Sequence, residues 1–201
     1  MAPRDGRCKV NMKDISLIGF MGCGKSSVGK ILATLLPECR LIDLDTYIEE
    51  KQGKNIPEIF NEYGEAAFRR MEREALEEIF SDKSRPRAIL SLGGGTVTSE
   101  QCRQLIRQHT DCFYLRATTD TLLDNLEGHS DGRPMLNPTQ PVEAQSTETS
   151  SEREALRRRI ESLMQTRSPQ YIATAHHIID INGQTFAQIA EAVEDNILNI
   201  K

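Results

Sequence analysis

Short, mainly apolar runs alternate with longer stretches of helical periodicity along this chain. The runs over 15–19, 40–43, 88–92, 112–115 and 178–181 predict β-strands. Between them apolar residues recur at helical spacing, as at Val28, Ile31, Leu32 and Leu35. The predicted helices cover 24–36, 64–80, 99–109, 118–126 and 152–166. Helical turns are also predicted after Asp43, with a break at Gly53 and a restart near Pro57. A final amphipathic helix is predicted from the spacing of Phe186, Ile189, Val193 and Ile197.

This alternation predicts the α/β fold class, as a three-layer α/β/α domain around a parallel sheet of about five strands. We expect a single domain over residues 1–201, with a flexible tail at 1–13. Residues 128–151 are rich in proline, glycine and polar side chains, which predicts a long exposed loop. A loop of that length in a compact domain is typical of a mobile lid.

Composition removes several classes of function. The chain has 30 acidic and 25 basic residues and a net charge of −5, which argues against nucleic-acid binding. No apolar run approaches the ~20 residues that span a bilayer, so we expect no membrane partner. The five cysteines are scattered and form no C-x-x-C pair, which indicates neither zinc nor disulfides and favours a reduced, cytoplasmic setting.

The first strand runs into a glycine-rich segment, GFMGCGKS at 19–26, with the spacing of a phosphate-binding loop (P-loop). Backbone N–H groups and the following helix N-terminus favour an anion, so ATP is the expected co-substrate. The phosphate-binding candidates are Gly22, Cys23, Gly24, Lys25, Ser26 and Ser27. Lys25 would reach the β- and γ-phosphates and Ser26 would bind Mg²⁺. Cys23 fits either a small filler or a redox-sensitive thiol.

Three further segments indicate an acceptor site. Asp43 and Asp45 end the second strand, and strand alternation would send both toward the ligand crevice to serve Mg²⁺ and an acceptor hydroxyl. Arg69 lies on a charged helix, where a guanidinium could bind a carboxylate in two parallel hydrogen bonds. Three glycines at 93–95 follow a buried strand, which indicates close approach of the backbone to a ligand.

Taken together, these segments resemble the shikimate kinase family, and the resemblance runs from about Ile15 to the end of the chain. It rests on GFMGCGKSS at 19–27, DLD at 43–45, FRRME at 68–72, SLGGG at 91–95, RPML at 133–136 and RSPQY at 167–171. Each piece is short, but their order and spacing are specific. The resemblance implies a P-loop fold of the nucleoside-monophosphate-kinase type, with an acceptor-binding segment at 45–80 and a lid at 128–151.

The resemblance also implies an activity and the residues that perform it. The reaction would be ATP-dependent phosphorylation of shikimate to shikimate 3-phosphate, in aromatic amino acid biosynthesis. Asp45 would bind the acceptor hydroxyls as the candidate base, and Asp43 would lie near Mg²⁺ through water. The acceptor carboxylate would contact Arg69 and Arg167. The acceptor ring would lie against Gly93, Gly94 and Gly95. Arg133, on the lid, would close over the phosphates.

The chain departs from the family near the nucleotide base. Many members carry a base-stacking arginine about two turns before the lid arginine, but residues 122–127 read LLDNLE here. We therefore expect Arg116 or the segment 180–183 to hold adenine. A gluconate kinase-like enzyme and a nucleotide-binding switch or pseudokinase remain alternatives. Because the whole site lies in one chain, we expect a monomer.

Overall fold

The protein is represented by a computed structural model that describes residues 13–126 and 148–199. Its strands are β1 (Asp14–Ile18), β2 (Arg40–Asp43), β3 (Ala88–Ser91), β4 (Thr110–Arg116) and β5 (His177–Asp180). Its helices are α1 (Lys25–Leu35), α2 (Leu44–Gln52), α3 (Ile56–Ser81), α4 (Glu100–His109), α5 (Thr119–Leu126), α6 (Glu148–Thr174) and α7 (Phe186–Asn199). A single 3₁₀ turn, Thr96–Thr98, precedes α4.

The five strands form one parallel sheet in the order β2-β3-β1-β4-β5. This confirms the predicted fold class and the number of strands. Strand residues alternate between two apolar clusters, one on each face of the sheet. One cluster contains residues of α1, α5 and α7, and the other contains residues of α2, α3 and α4. Helix α6 contributes to both, with Ile160 in the first and Tyr171 in the second.

The sheet order creates a crevice between the ends of β1 and β3. These strands are neighbours, with Leu17 paired to Ser91 at their carboxyl ends. The chain leaves β1 into α1 on one face and leaves β3 into α4 on the other. Connections that depart to opposite faces leave a gap at the carboxyl edge, where open α/β sheets bind ligands. The segments that follow these strands, 19–24 and 92–95, therefore face each other.

Helices α3 and α6 differ from their predicted bounds. Helix α3 begins at Ile56, where Asn55 and Glu58 form a capping box, and it continues through a kink at Gly64. Helix α6 continues beyond residue 166 to Thr174 despite Pro169, because the side chain of Tyr171 is fully buried in the core. The predicted lid, 128–151, lies outside the described residues except for 148–151, which form the first turn of α6. The expectation of a loop at these four positions was wrong.

The predicted tail, 1–13, also lies outside the described residues except for Lys13. The carbonyl of Lys13 accepts a hydrogen bond of 2.6 Å from Nε of Arg87, which ties this residue to the fold. No helix among the described residues has both the length and the apolar character needed to cross a bilayer.

Replacing Gly64 by alanine is expected to lower the free energy of unfolding by about 1–3 kcal/mol. Gly64 has φ 76° and ψ 170°, a conformation that is nearly restricted to glycine, and a Cβ added there would meet no neighbour within 4 Å. The cost would therefore come from the backbone alone. Urea unfolding would measure the free energy of unfolding of this variant. Asn61→Ala, in the exposed helical turn that precedes Gly64, is the control and should change stability by less than about 0.5 kcal/mol. Equal stability of the two variants would contradict the prediction.

Candidate active site

The phosphate-binding loop joins β1 to α1. Gly22 and Gly24 adopt φ of 84° and 85°, which a side chain would strain. Gly24 is the N-cap of α1 and provides no side-chain cap, so the first N–H groups of the helix are open to an anion. Asn125 of α5 donates a hydrogen bond of 2.9 Å to the carbonyl of Gly22 and braces the loop from outside. The loop thus follows a strand and leads into a helix, which is the context that the sequence predicted.

Lys25 is folded back against this loop. Its Nζ donates to the carbonyls of Gly19 at 2.9 Å and Phe20 at 3.0 Å, and only 9% of the residue is exposed. Cys23 lies beneath it, fully buried, with its Sγ 3.8 Å from the ammonium. This burial favours the filler interpretation of Cys23, because a redox-sensitive thiol must be accessible.

Hydroxyl and carboxylate oxygens that could bind a metal ion lie close together beside the loop. The hydroxyl of Ser26 donates to Oδ2 of Asp43 at 2.7 Å and lies 3.2 Å from the hydroxyl of Ser91. Asp43 also caps α2 by accepting from the N–H of Thr46 at 3.4 Å. Hydroxyl and carboxylate oxygens are the ligands that Mg²⁺ prefers, so these residues fit a magnesium ion held partly through water.

Asp45 lies in the first turn of α2 and not on the strand. The strand-alternation argument for its direction was therefore wrong, although both aspartates line the same cleft. Burial, and then the carboxylates of Glu72 and Asp43, raise the pKa of Asp45 to about 6, against the opposing charges of Lys25 and Arg69. A carboxylate in that range is suited to accept a proton near neutral pH.

Two arginines that do not line the cleft each have a buried donor with no partner among the described residues. Arg69 donates to Glu72 at 2.6 Å and to Glu65 at 3.0 Å, but its Nε is buried without a hydrogen bond. Arg167 of α6 is 4% exposed, lies 5.9 Å from the ring centroid of Phe20, and has a buried Nη1 without a partner. Buried donors without partners are costly, so both groups are ready for an anionic ligand.

The glycines after β3 pack directly against these functional side chains. A Cβ on Gly95 would lie 2.2 Å from Nη2 of Arg69, and one on Gly93 would lie 2.9 Å from Oδ1 of Asp45. Both contacts are shorter than real Cβ atoms tolerate. A side chain at either position would displace the acid or the arginine, so glycine lets both approach the backbone of the turn.

The middle glycine connects the turn to the rest of the site. A Cβ on Gly94 would lie 3.1 Å from the backbone N of Met21 in the phosphate loop. Its carbonyl accepts a hydrogen bond from the hydroxyl of Tyr171, one turn after Arg167 and stacked on Tyr114 with centroids 5.0 Å apart. The turn thus contacts both the phosphate loop and the helix that carries Arg167.

The structure brings most of the predicted site residues into one cleft of about 500 Å³. The predicted residues that line it are Gly22, Gly24, Lys25, Ser26, Ser27, Asp43, Asp45, Gly93 and Gly94. Cys23, Arg69, Gly95 and Arg167 do not line it, and Arg133 lies outside the described residues. Arg116 pairs with Asp180 at 3.2 Å and does not line this cleft, so its predicted contact with adenine has no geometric support.

Sequence reasoning missed the role of Glu72. The motif at 68–72 gave it no role of its own, but Glu72 is fully buried and accepts hydrogen bonds from Arg69 and Thr96. Burial raises its pKa, with Arg69 and Thr96 acting in the opposite direction. A signal was available, since Glu72 follows Phe68 by four residues and precedes Ala75 and Leu76 on the apolar face of α3.

A phosphate-binding loop, adjoining hydroxyl and carboxylate oxygens that suit Mg²⁺, and a buried acid together define a P-loop phosphotransferase. The chain belongs to the shikimate kinase family, whose model, described as "Shikimate kinase", matches residues 21–198. A shikimate kinase of Thermus thermophilus is 33% identical over 183 residues, covering 91% of this chain and 89% of the relative. A shikimate kinase of Thermodesulfovibrio yellowstonii is 35% identical over 182 residues, covering 90% and 93%.

The solved structures agree with this membership. A shikimate kinase from Acinetobacter baumannii in complex with shikimate matches with a TM-score of 0.80 and 30% identity, over 94% of this chain and 96% of that chain. A shikimate kinase from Bacteroides thetaiotaomicron matches with a TM-score of 0.76 and 27% identity, over 94% and 99%. Both neighbours therefore share the fold over nearly their whole length.

Replacing Asp45 by asparagine is expected to stabilise the ligand-free protein at about pH 8, by up to about 2 kcal/mol. The folded pKa is about 6 and the unfolded value is near 3.9, so the folded state binds this proton more tightly. The wild type therefore loses stability as the pH rises through that window. Asparagine avoids the loss, and its advantage should vanish near pH 4.

Thermal unfolding in the presence of a chelator, at both pH values, would measure this effect. Asp82→Asn is a control of opposite sign, because hydrogen bonds from Ser84 lower the pKa of that exposed carboxyl. It should not stabilise the protein at high pH. A pH-independent effect of Asp45→Asn would contradict the prediction.

Proposed function

We propose that this chain transfers the γ-phosphoryl group of ATP to a hydroxyl of shikimate, giving shikimate 3-phosphate and ADP in aromatic amino acid biosynthesis. Shikimate carries a carboxylate at one end of its ring and hydroxyls at the other. The observation that carries the assignment is the pair of buried arginine donors, Nε of Arg69 and Nη1 of Arg167, that have no partner among the described residues. Shikimate bound there through its carboxylate would present its hydroxyls to Asp45.

The acceptor carboxylate is proposed to bind Arg69 and Arg167. Nε of Arg69 and Nη1 of Arg167 are both buried donors, and a carboxylate oxygen can accept from each. Glu72 and Glu65 already hold the guanidinium of Arg69 in place, so little side-chain entropy is lost on binding. The segment 45–80, which carries Asp45 and Arg69, thus forms the acceptor-binding side.

Gly93, Gly94 and Gly95 are proposed to form the floor under the acceptor ring. Side chains at these positions would meet Asp45, the phosphate loop and Arg69, so their absence lets all three groups approach the same small volume. Holding the reacting groups in this way supplies most of the rate enhancement in phosphoryl transfer.

Asp45 is proposed to accept the proton of the attacking hydroxyl. Its pKa of about 6 leaves it mostly ionised at neutral pH and still basic enough to hold a proton during transfer. Lys25 is proposed to release the carbonyls of Gly19 and Phe20 and to bind the β- and γ-phosphates, while Gly22, Cys23, Gly24, Ser26 and Ser27 offer backbone N–H groups.

Mg²⁺ is proposed to be held by Ser26 and, through water, by Asp43. When bound, the ion neutralises phosphate charge that would otherwise oppose the transfer. Arg133 is proposed as the cation that closes over the phosphates from the segment 128–151. Its position lies outside the described residues, so the proposal rests on the sequence resemblance.

The enzyme is proposed to work as a monomer in the cytoplasm. Every described site residue comes from a single chain, so no second copy is needed to complete the site. The described cysteines 23, 39, 102 and 112 are free and buried, which suits a reducing compartment.

A coupled ADP-release assay with Mg·ATP is the experiment that tests this function. We expect release with shikimate and neither with gluconate nor without acceptor. Arg69→Ala should raise the KM for shikimate by about tenfold or more, since a charge-assisted hydrogen bond to a carboxylate is lost. The neighbouring Arg70→Ala is a matched control, because Arg70 is exposed and its one hydrogen bond among the described residues goes to the carbonyl of Ala66.

The assay separates the alternatives by its outcome. Release with gluconate alone would support a gluconate kinase-like enzyme. ATP binding without turnover of either acceptor would support a nucleotide-binding switch. Equal effects of Arg69→Ala and Arg70→Ala on the KM for shikimate would contradict the proposed carboxylate site. They would not contradict the proposed reaction.

Asp45→Asn is expected to lower kcat by about 10²–10⁴-fold, the usual contribution of a positioned base, without weakening ATP binding to the same extent. The amide keeps the size of the side chain but cannot take the proton. Single-turnover rates would give the chemical step directly. A loss below about tenfold would indicate that Asp45 orients the hydroxyl and does not remove its proton.

A further inference from the structure

A second cleft, of about 480 Å³, lies at the opposite edge of the sheet from the candidate active site. Among the residues that line it, Asp14 opens β1, Arg87 immediately precedes β3 and His109 immediately precedes β4. The cleft therefore lies at the amino ends of these parallel strands. The phosphate loop and the glycine turn follow the carboxyl ends of the same sheet, so the two clefts are separate.

The second cleft is positively charged, although the chain as a whole carries a net charge of −5. Four basic and two acidic residues line it, namely Lys13, Lys83, Arg85, Arg87, Asp14 and Asp82. A concave surface lined mainly by charge of one sign concentrates ions of the opposite sign. The charge of this cleft therefore favours an anionic ligand.

Both carboxylates of the second cleft already accept hydrogen bonds within the protein. Asp14 accepts from both terminal nitrogens of Arg85, at 3.0 Å for Nη1, and from the N–H of Ala88 at 2.8 Å. Asp82 accepts from the N–H of Ser84 at 2.9 Å and from its hydroxyl at 2.6 Å. The charges of Asp14 and Arg85 offset each other, which leaves three basic residues and one carboxylate to set the charge of the cleft.

Arg87 has a donor that no described residue satisfies. Its side chain is 10% exposed, and Nη1 is buried without a hydrogen bond among the described residues. Its ion pair with Asp111 is long, at 3.8 Å, and the nearby thiol of Cys39 is a weak acceptor. A buried donor without a good acceptor is costly, so an anion that reaches this guanidinium would be stabilised by it.

Two lysines add donors to the same cleft. Nζ of Lys83 donates to the carbonyl of Phe80 at 2.8 Å, and Nζ of Lys13 donates to the carbonyl of Arg107 at 3.5 Å. An ammonium has three N–H donors, so each lysine has donors left for a ligand. The ring of Phe80 stacks on His109 with centroids 4.8 Å apart, and the two residues form a wall beside these cations.

We propose that this second cleft binds a phosphate group, carried by a small phosphomonoester or free as inorganic phosphate, and that Lys13, Lys83 and Arg87 hold it. A phosphate group carries nearly two negative charges and offers three strong acceptor oxygens, which matches three cationic donor groups. A carboxylate has one charge and two oxygens. The cleft also has room beside the phosphate for the rest of an ester. This site is independent of the proposed function, because none of its residues takes part in that function.

His109 gives a readout specific to this cleft, which is needed because added phosphate also reaches the phosphate loop. Burial, and then the charge of Lys83, lower the pKa of His109, with Lys13 acting in the same direction and Asp14 against them. A bound phosphate adds negative charge, which favours the protonated imidazole.

An NMR pH titration of the wild type tests the proposal, with His109→Gln used to identify the resonance. The pKa of His109 should rise by about 0.5 or more with inorganic phosphate or glycerol 3-phosphate, relative to sodium chloride at equal ionic strength. Acetate should give a smaller rise, because it carries one charge. The dependence of the resonance on ligand concentration gives the Kd of each anion.

Three variants assign the binding groups. Lys83→Gln should weaken binding of both phosphates by about fivefold or more, because a hydrogen bond from a charged donor is lost. Arg87→Lys keeps the charge but removes the Nη1 donor, and it should weaken binding by a similar factor. Lys30→Gln is the matched control, since Lys30 is an exposed lysine on α1 that does not line the cleft. It should leave the Kd unchanged.

The outcomes separate support from contradiction. A response of His109 to phosphate no larger than its response to chloride would overturn the proposal, and so would equal Kd values for Lys83→Gln and Lys30→Gln. An equal response to acetate would overturn the preference for phosphate. Tighter binding of glycerol 3-phosphate would identify an ester as the ligand, and tighter binding of inorganic phosphate would identify the free ion. Shikimate-dependent ADP release tests the proposed function separately, so failure of one does not imply failure of the other.

Discussion

The close approach of three functional groups to one backbone turn is the constraint on which the site depends. The turn at 93–95 touches Asp45 at its first glycine, the phosphate loop at its second and Arg69 at its third. Tyr171 adds a fourth contact by bonding the middle carbonyl. A methyl group at any of the three positions would push one of these groups away, so the spacing of Asp45, the phosphate loop and Arg69 around the turn depends on the absence of side chains.

The same crowding explains the unusual electrostatics. Asp43, Asp45 and Glu72 place three carboxylates near one another, and the pKa of Asp45 rises because two negative neighbours and burial disfavour its ionised form. Lys25 and Arg69 offset only part of this effect. Without a ligand, the ionised form of Asp45 is therefore disfavoured, which is the property that its proposed role as a base would use.

The fold brings these groups together through the order of its strands. Because β1 and β3 are neighbours and their chains depart to opposite faces, the loops that follow them meet at one edge of the sheet. Helix α6 contributes to both apolar clusters, and it carries Arg167 to the ring of Phe20 in the phosphate loop and Tyr171 to the carbonyl of Gly94. Pro169 within that helix is tolerated because burial of Ile160 and Tyr171 outweighs the lost backbone hydrogen bond.

The sequence by itself determined the sheet, its parallel strands, the phosphate loop and the candidates for the acceptor site, because these follow from local periodicity and from short motifs with their own backbone geometry. It did not determine the bounds of α6, because tertiary packing outweighed the tendency of Pro169 to end a helix. It did not place Asp45 on a helix either, because the alternation of side chains does not continue past the end of a strand. Only the tertiary structure showed the hydrogen bond of Thr96 to Glu72 and the contact of Phe186 with Gly24. The spacing of Glu72 from Phe68 places it on the apolar face of α3, but both contacts join residues far apart in the chain, and such contacts leave no pattern in the sequence nearby.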